Sequence, residues 1–89
     1  MRRPVRTHRF KKDVDLARRR GKDLGKLRWI MERLIAEELL PDRYRDHPLI
    51  GNYVGRRECH VELDWLLIYK LEGKDILFER TGTHADLFR

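Results

Sequence analysis

From residue 24 onward the apolar residues recur with the period of an α-helix. Leu24, Leu27, Ile30, Met31, Leu34, Ile35 and Leu39 follow the i, i+3, i+4, i+7 spacing of one buried stripe. Asp23 stands where an N-cap belongs, and Pro41 ends the stripe. Upstream, Phe10, Val14 and Ala17 share one face of a helix over about Arg9 to Arg20, with Gly21 as its C′ residue. So little chain separates the two that they predict an αα-hairpin. Before them, Pro4 to Thr7 suits a short edge strand, where proline does little harm.

Beyond Asp42 the periodicity lapses. Pro48, Gly51, Asn52 and Gly55 mark a loop to residue 55. The period then becomes two: Cys59, Val61 and Leu63 alternate with Glu58, His60 and Glu62, as in a half-buried strand. Asp64 sits at a reversal. Trp65 to Leu71 is apolar on both faces and therefore central in a sheet. Glu72 to Asp75 is a turn, Ile76 to Arg80 a third strand, and Thr81-Gly82-Thr83 breaks it. The tail His84 to Arg89 has room for one helical turn. The expected order is β-α-α-β-β-β, an α+β fold with a helical hairpin on one face of an antiparallel sheet and a short C-terminal helical turn.

Eighty-nine residues, 40% hydrophobic and 40% charged, allow one domain (1–89) with a modest core. The longest apolar run, Trp65 to Tyr69, is too short to span a bilayer, and Met1 to Arg6 has no apolar stretch behind it to make a secretory signal. Cys59 is the only cysteine, which excludes an internal disulfide and a multi-cysteine zinc site. A reducing, cytoplasmic setting without membrane partners is expected. The net charge of +6 is unevenly placed. Residues 1–20 carry nine basic and two acidic residues, net +7, and the remainder is close to neutral. Such a field attracts polyanions, RNA among them, with binding that falls steeply with salt.

His47, His60 and His84 lie in three separate elements, each beside groups suited to acid–base work. Pro48 holds His47 extended. His60 shares a strand face with Glu58 and Glu62, and Asp64 follows at the bend. His84 precedes Phe88 by one helical turn, which puts imidazole and ring on one face. Attack of an RNA 2′-OH on its own phosphodiester needs a base for the hydroxyl proton, an acid for the leaving 5′-oxygen, and positive charge on the phosphorane oxygens. Imidazoles titrate in the right range. Arg56, Arg57 and Arg80 are candidates for the phosphate, and Trp65 and Phe88 for stacking on displaced bases. No histidine pair has the spacing of a metal site, so neither metal nor cofactor is expected. His8 reads as surface and Cys59 as a small core residue.

The segments Asp46-His47-Pro48-Leu49-Ile50-Gly51-Asn52, Arg57-Glu58-Cys59-His60-Val61-Glu62-Leu63-Asp64-Trp65-Leu66-Leu67-Ile68-Tyr69-Lys70 and Arg80-Thr81-Gly82-Thr83-His84-Ala85-Asp86-Leu87-Phe88 resemble the YafQ branch of the RelE/ParE superfamily of type II toxins. The resemblance implies a RelE/ParE-like fold and an mRNA interferase that cuts message in the ribosomal A site, leaving a 2′,3′-cyclic phosphate or 3′-phosphate and a 5′-hydroxyl. It implies an acidic, DinJ/RelB-like antitoxin that covers the cleft, and operator DNA bound only through the toxin–antitoxin complex. Carried over by motif position, the catalytic residues are His47, His60, Asp64, Trp65, His84 and Phe88.

Two other classes compete with this reading. A ParE-like toxin poisons DNA gyrase by binding and needs no proton donors. A non-catalytic basic module would account for the charge but leave the four titratable residues idle.

Overall fold

A computed structural model describes residues 1–88; Arg89, the end of the predicted tail, lies outside them. The elements are β1 (Arg3–Arg6), α1 (His8–Arg19), α2 (Leu24–Ile35), β2 (His47–Pro48), β3 (Arg57–Glu62), β4 (Trp65–Glu72), β5 (Asp75–Gly82) and α3 (His84–Leu87). Single 3₁₀ turns at Asp42–Tyr44 and Gly51–Tyr53 flank β2. The strands form one sheet in the order β1-β5-β4-β3-β2. Among the described residues no helix is long and apolar enough to cross a membrane.

The helices begin and end on short polar signals. The Thr7 hydroxyl caps α1 by accepting the Phe10 N–H, and Gly21, at φ +79°, takes the left-handed C′ position that ends it. Asp23 caps α2 through the Gly25 N–H, as its position in the sequence predicts. Phe10 and Ala17 of α1, with Leu27, Ile30, Met31 and Leu34 of α2, pack on Cys59, Val61, Trp65, Leu67, Tyr69, Ile76 and Phe78 of the sheet.

Four expectations need correction. The sheet is mixed, because β1 pairs parallel with β5 from Arg3↔Asp75 to Arg6↔Phe78. A helical crossover between strands permits parallel pairing, and α1 and α2 supply one. The stripe of α2 stops at Ile35, not at Pro41. Glu37 adopts a left-handed φ of 63°, and its N–H and that of Glu38 close a Schellman motif on Leu34 and Arg33. The chain start fixes this end: the Arg2 N–H reaches the Ile35 carbonyl, and the N-terminal ammonium pairs with Glu37 at 2.9 Å. Leu39, rotated off the stripe, is 97% exposed. The third strand continues through Gly82, where Thr81 pairs with Leu67 and buries its hydroxyl. Finally, the segment from 42 to 55 is not all loop, since β2 adds a short strand on β3.

Candidate active site

Across β3 and β4, alternate side chains divide between the two faces of the sheet. His60 pairs with Leu66 and Glu58 with Ile68, and these two apolar residues belong to a small second cluster with Leu87, Leu49 and Tyr53. The candidate groups therefore stand on the face away from the helical hairpin, above an apolar floor.

Two of the imidazoles meet at one carboxylate. Glu58 Oε1 lies 3.5 Å from His47 Nε2 and 3.4 Å from His60 Nε2. The pairing of His47 with Glu58 in the β2–β3 ladder brings them together. His47 is oriented from behind. Arg45 takes a left-handed φ of 51°, unusual for a residue with a side chain, and turns its carbonyl to accept from His47 Nδ1 at 2.6 Å. A carbonyl only accepts, so Nδ1 carries the hydrogen and Nε2 faces the carboxylate. The preceding residue is anchored too: the Tyr69 hydroxyl donates to both Asp46 oxygens, at 2.8 and 2.7 Å, and Arg57 Nε donates at 3.0 Å.

The third imidazole comes from α3. Asp64, in the β3–β4 turn, accepts the His84 backbone N–H at 2.9 Å and the His84 Nδ1 hydrogen at 2.7 Å. These two bonds hold the Asp64 carboxyl below the usual carboxylate range, the backbone bond contributing most. They also fix the tautomer of His84 and leave Nε2 free to exchange a proton. The ring centroids of His60 and His84 are 5.9 Å apart, and Phe88 lies 6.2 Å beyond His84, edge-on to Tyr53 at 5.5 Å.

A capping box places α3: Thr83 accepts the Asp86 N–H, and Asp86 accepts the Thr83 N–H. Arg20 clamps the same Asp86 through two bonds, at 2.7 and 3.2 Å. Gly82 makes the approach possible, since a Cβ there would lie 3.0 Å from Asp86 Cβ.

His47, His60, Asp64, His84 and Phe88 thus share one open face. Trp65 does not. It is 1% exposed in the helix-side core, with its indole N–H donated to Thr81 at 2.9 Å, so it cannot stack on a base. The three candidate phosphate arginines are all engaged: Arg56 with Glu79, Arg57 with Asp46, and Arg80 with Asp13. Asp13 takes Nε and Nη2 of Arg80 and leaves Nη1 outside the pair. Burial pushes the Cys59 thiol well above its ordinary range, which fits a core residue and not a nucleophile. Among the described residues no three of His, Cys, Asp and Glu are grouped to hold a metal ion.

Glu58 is the site residue that candidate selection from the sequence passed over. The strand alternation puts it on the face of His60, but equally with Glu62, which turns away to Lys22 and Lys26. A register shift between His60 and Glu62 separates their fates, and the pairing with β2 buries Glu58 to 5% exposure.

Comparison with known proteins shows what the chain is similar to. The family model described as "Bacterial toxin of type II toxin-antitoxin system, YafQ" matches residues 2–89. The chain is 56% identical over 80 residues to the mRNA interferase toxin YafQ of Escherichia coli K12, covering 89% of this chain and 87% of that one. The fold superposes on the crystal structure of YafQ from E. coli BL21(DE3) with a TM-score of 0.95, 50% identity and full coverage of both chains. The toxin in the E. coli DinJ–YafQ complex gives a TM-score of 0.93, with 50% identity and full coverage of both chains.

Proposed function

The chain belongs to the YafQ family of bacterial type II toxins, and on that premise we propose that it is an mRNA interferase, a ribosome-dependent endoribonuclease that cuts message in the A site without a metal. The observation that carries the chemistry is the convergence of His47, His60 and His84 on one open face, with two carboxylates holding them.

The division of work follows from the hydrogen bonds. His84, its Nδ1 tied to Asp64, presents Nε2 for one of the two proton transfers. His60 and His47, joined through Glu58, serve the other. Base and acid act on opposite sides of the phosphate: one removes the 2′-OH proton, and the other protonates the departing 5′-oxygen. The products are a 2′,3′-cyclic phosphate and a 5′-hydroxyl. Arg80, held by Asp13, offers its remaining edge to the phosphate oxygens. Phe88, 43% exposed, stacks on or orients a base. Trp65 contributes from beneath, by fixing the strand end that carries Thr81 and leads into α3.

The basic N-terminal stretch faces ribosomal RNA. A DinJ-like acidic antitoxin covers the histidine face, and operator DNA is reached only through that complex. The E. coli relative is named in complex with DinJ.

The test is to induce the protein in cells and map 5′-hydroxyl ends on messages. In-frame cuts that vanish when translation is blocked are expected, and toxin stripped of transition metals before it is added to programmed ribosomes in magnesium buffer makes them equally well. Equal cutting of naked RNA overturns ribosome dependence. Double-strand DNA breaks with intact messages replace the reading with gyrase poisoning.

A further inference from the structure

A cleft of about 670 Å³ opens beside His60, between α2 and the turn that leads into β2. That volume is within the range of roughly 300–1,000 Å³ that seats small ligands. β2 pairs only with Arg57 and Glu58, so it leaves the β3 edge open from His60 to Leu63, and that edge is the cleft's floor. Its wall is a stack. Trp29 and Tyr44 lie 5.7 Å apart and tilted by 34°, with the guanidinium of Arg33 over Trp29 and that of Arg43 over Tyr44, each at 4.9 Å.

The charges along this cleft differ from those on the rest of the site. Arg56, Arg57 and Arg80 are neutralised by carboxylates, whereas Arg43 and Arg45 have no acidic partner among the described residues. The acidic groups on the lining are already committed: Asp23 caps α2, and Glu62 is bound by Lys22 and Lys26. Arg45 also orients His47 through its carbonyl, so the turn that carries the free cations is built into the site. Merely fastening a turn to a helix calls for apolar cover. Here Trp29 is instead 38% exposed beside two unpaired guanidinium groups.

We propose that this cleft seats the message nucleotide next to the scissile phosphate, with its phosphate on Arg43 and Arg45 and its base against the Trp29–Tyr44 wall. The inference rests on the ribonuclease reading and adds a binding subsite to it. An aromatic wall accepts any base, while unpaired cations beside the reacting imidazoles hold the backbone in line.

The test uses ribosomes programmed with a message that carries 2′-O-methyl at the cut nucleotide and a thio-substituted base, 4-thiouridine or 6-thioguanosine, on either side of it. After irradiation with the wild-type chain bound, adducts are expected on Trp29, Tyr44 or the turn between them and His47. Adducts only elsewhere, or none, overturn the proposal. So does protection of these residues by an antitoxin peptide with no message adduct, which would make the cleft a peptide-docking groove. Independently, Trp29→Ala and Arg43→Ala should raise the toxin concentration for half-maximal cleavage about tenfold and leave the plateau rate unchanged. An unchanged concentration dependence in both, with melting curves like the parent's, also overturns it. If the wild-type chain leaves an unmodified message intact in the same reaction, the ribonuclease reading itself fails.

Discussion

On the helix side of the sheet, Leu67, Tyr69, Ile76 and Phe78 are closed over by Phe10, Ala17, Leu27, Ile30 and Leu34. On the other side the same strands carry Leu66 and Ile68 under only Leu87, Leu49 and Tyr53, and their neighbours are Glu58 and His60. The first face is held by apolar volume. The second is held by directed polar bonds: Asp64 to His84, His47 to the Arg45 carbonyl, Arg20 to Asp86. A layer closed by hydrophobic burial has no room for water or substrate. A face pinned at its rim by hydrogen bonds can fix imidazoles and still stay open. Damage to the two faces should therefore read out differently, as lost stability on one and lost rate on the other.

The largest separation is expected from His60→Ala and His84→Ala. Each removes a proton-transfer group, which typically costs about 10²–10⁴ in rate. Single-turnover cleavage on programmed ribosomes should fall by that much while the melting temperature barely moves. Equal losses of rate and stability would erase the distinction between the faces. Trp65→Ala is the mirror experiment. Truncating a buried indole costs about 3–5 kcal/mol, visible as a lower urea midpoint. Trp65→Phe then tells volume from hydrogen bonding: it keeps most of the volume and loses only the bond to Thr81, so cleavage should survive. A well-folded Trp65→Phe protein without activity would show that the indole–Thr81 bond, and not the buried volume alone, sets the strand end that leads into α3.

Glu58→Gln lies between these extremes. Glutamine keeps the shape but removes the charge that His47 and His60 share. A rate loss smaller than that of either histidine variant is expected, with a displaced pH–rate profile and unchanged melting. An unmoved profile would mean that the carboxylate only fills space.

Much of this division was legible in the residues. The period-3.6 stripe located the hairpin, period-2 alternation located β3, and the apolar run from Trp65 with the turn after it located β4 and β5; the dispersed His47, His60, Asp64 and His84 do converge. What the sequence hid was decided by contacts far along the chain. The true end of α2 depends on Arg2 and the N-terminal ammonium, more than thirty residues away. Leu63 continues an alternating pattern, yet at the β3–β4 turn it is 85% exposed. The arginines read as free cations because their partners, Glu79, Asp46 and Asp13, lie in other elements. Glu58 and Glu62 are indistinguishable until β2 and the register shift treat them differently.

The smallest expected effect concerns the joint between the two faces. Asp86 ties α3, and with it His84, to Arg20 at the end of α1. The Arg20 guanidinium, then the Thr83 N–H, hold its carboxyl well below the usual carboxylate range. A carboxyl whose folded pKa is depressed contributes stability above its unfolded pKa, about 3.9, and loses it as pH falls toward the folded value. Acid should therefore loosen α3 before it reaches the apolar layer. Asp86→Asn keeps an acceptor for the capping bond and drops the ion pair, a change of at most about 1 kcal/mol for a pair this exposed. Its stability should run parallel to the wild type's above about pH 5 and slightly below it, and the two curves should converge as pH falls toward 2. Hydrogen exchange at acid pH should show the amides of α3 opening earlier than those of α2. Curves that stay the same distance apart down to pH 2 would remove Arg20–Asp86 as the joint and leave Thr83 and the Asp64–His84 bonds to hold the histidine face alone.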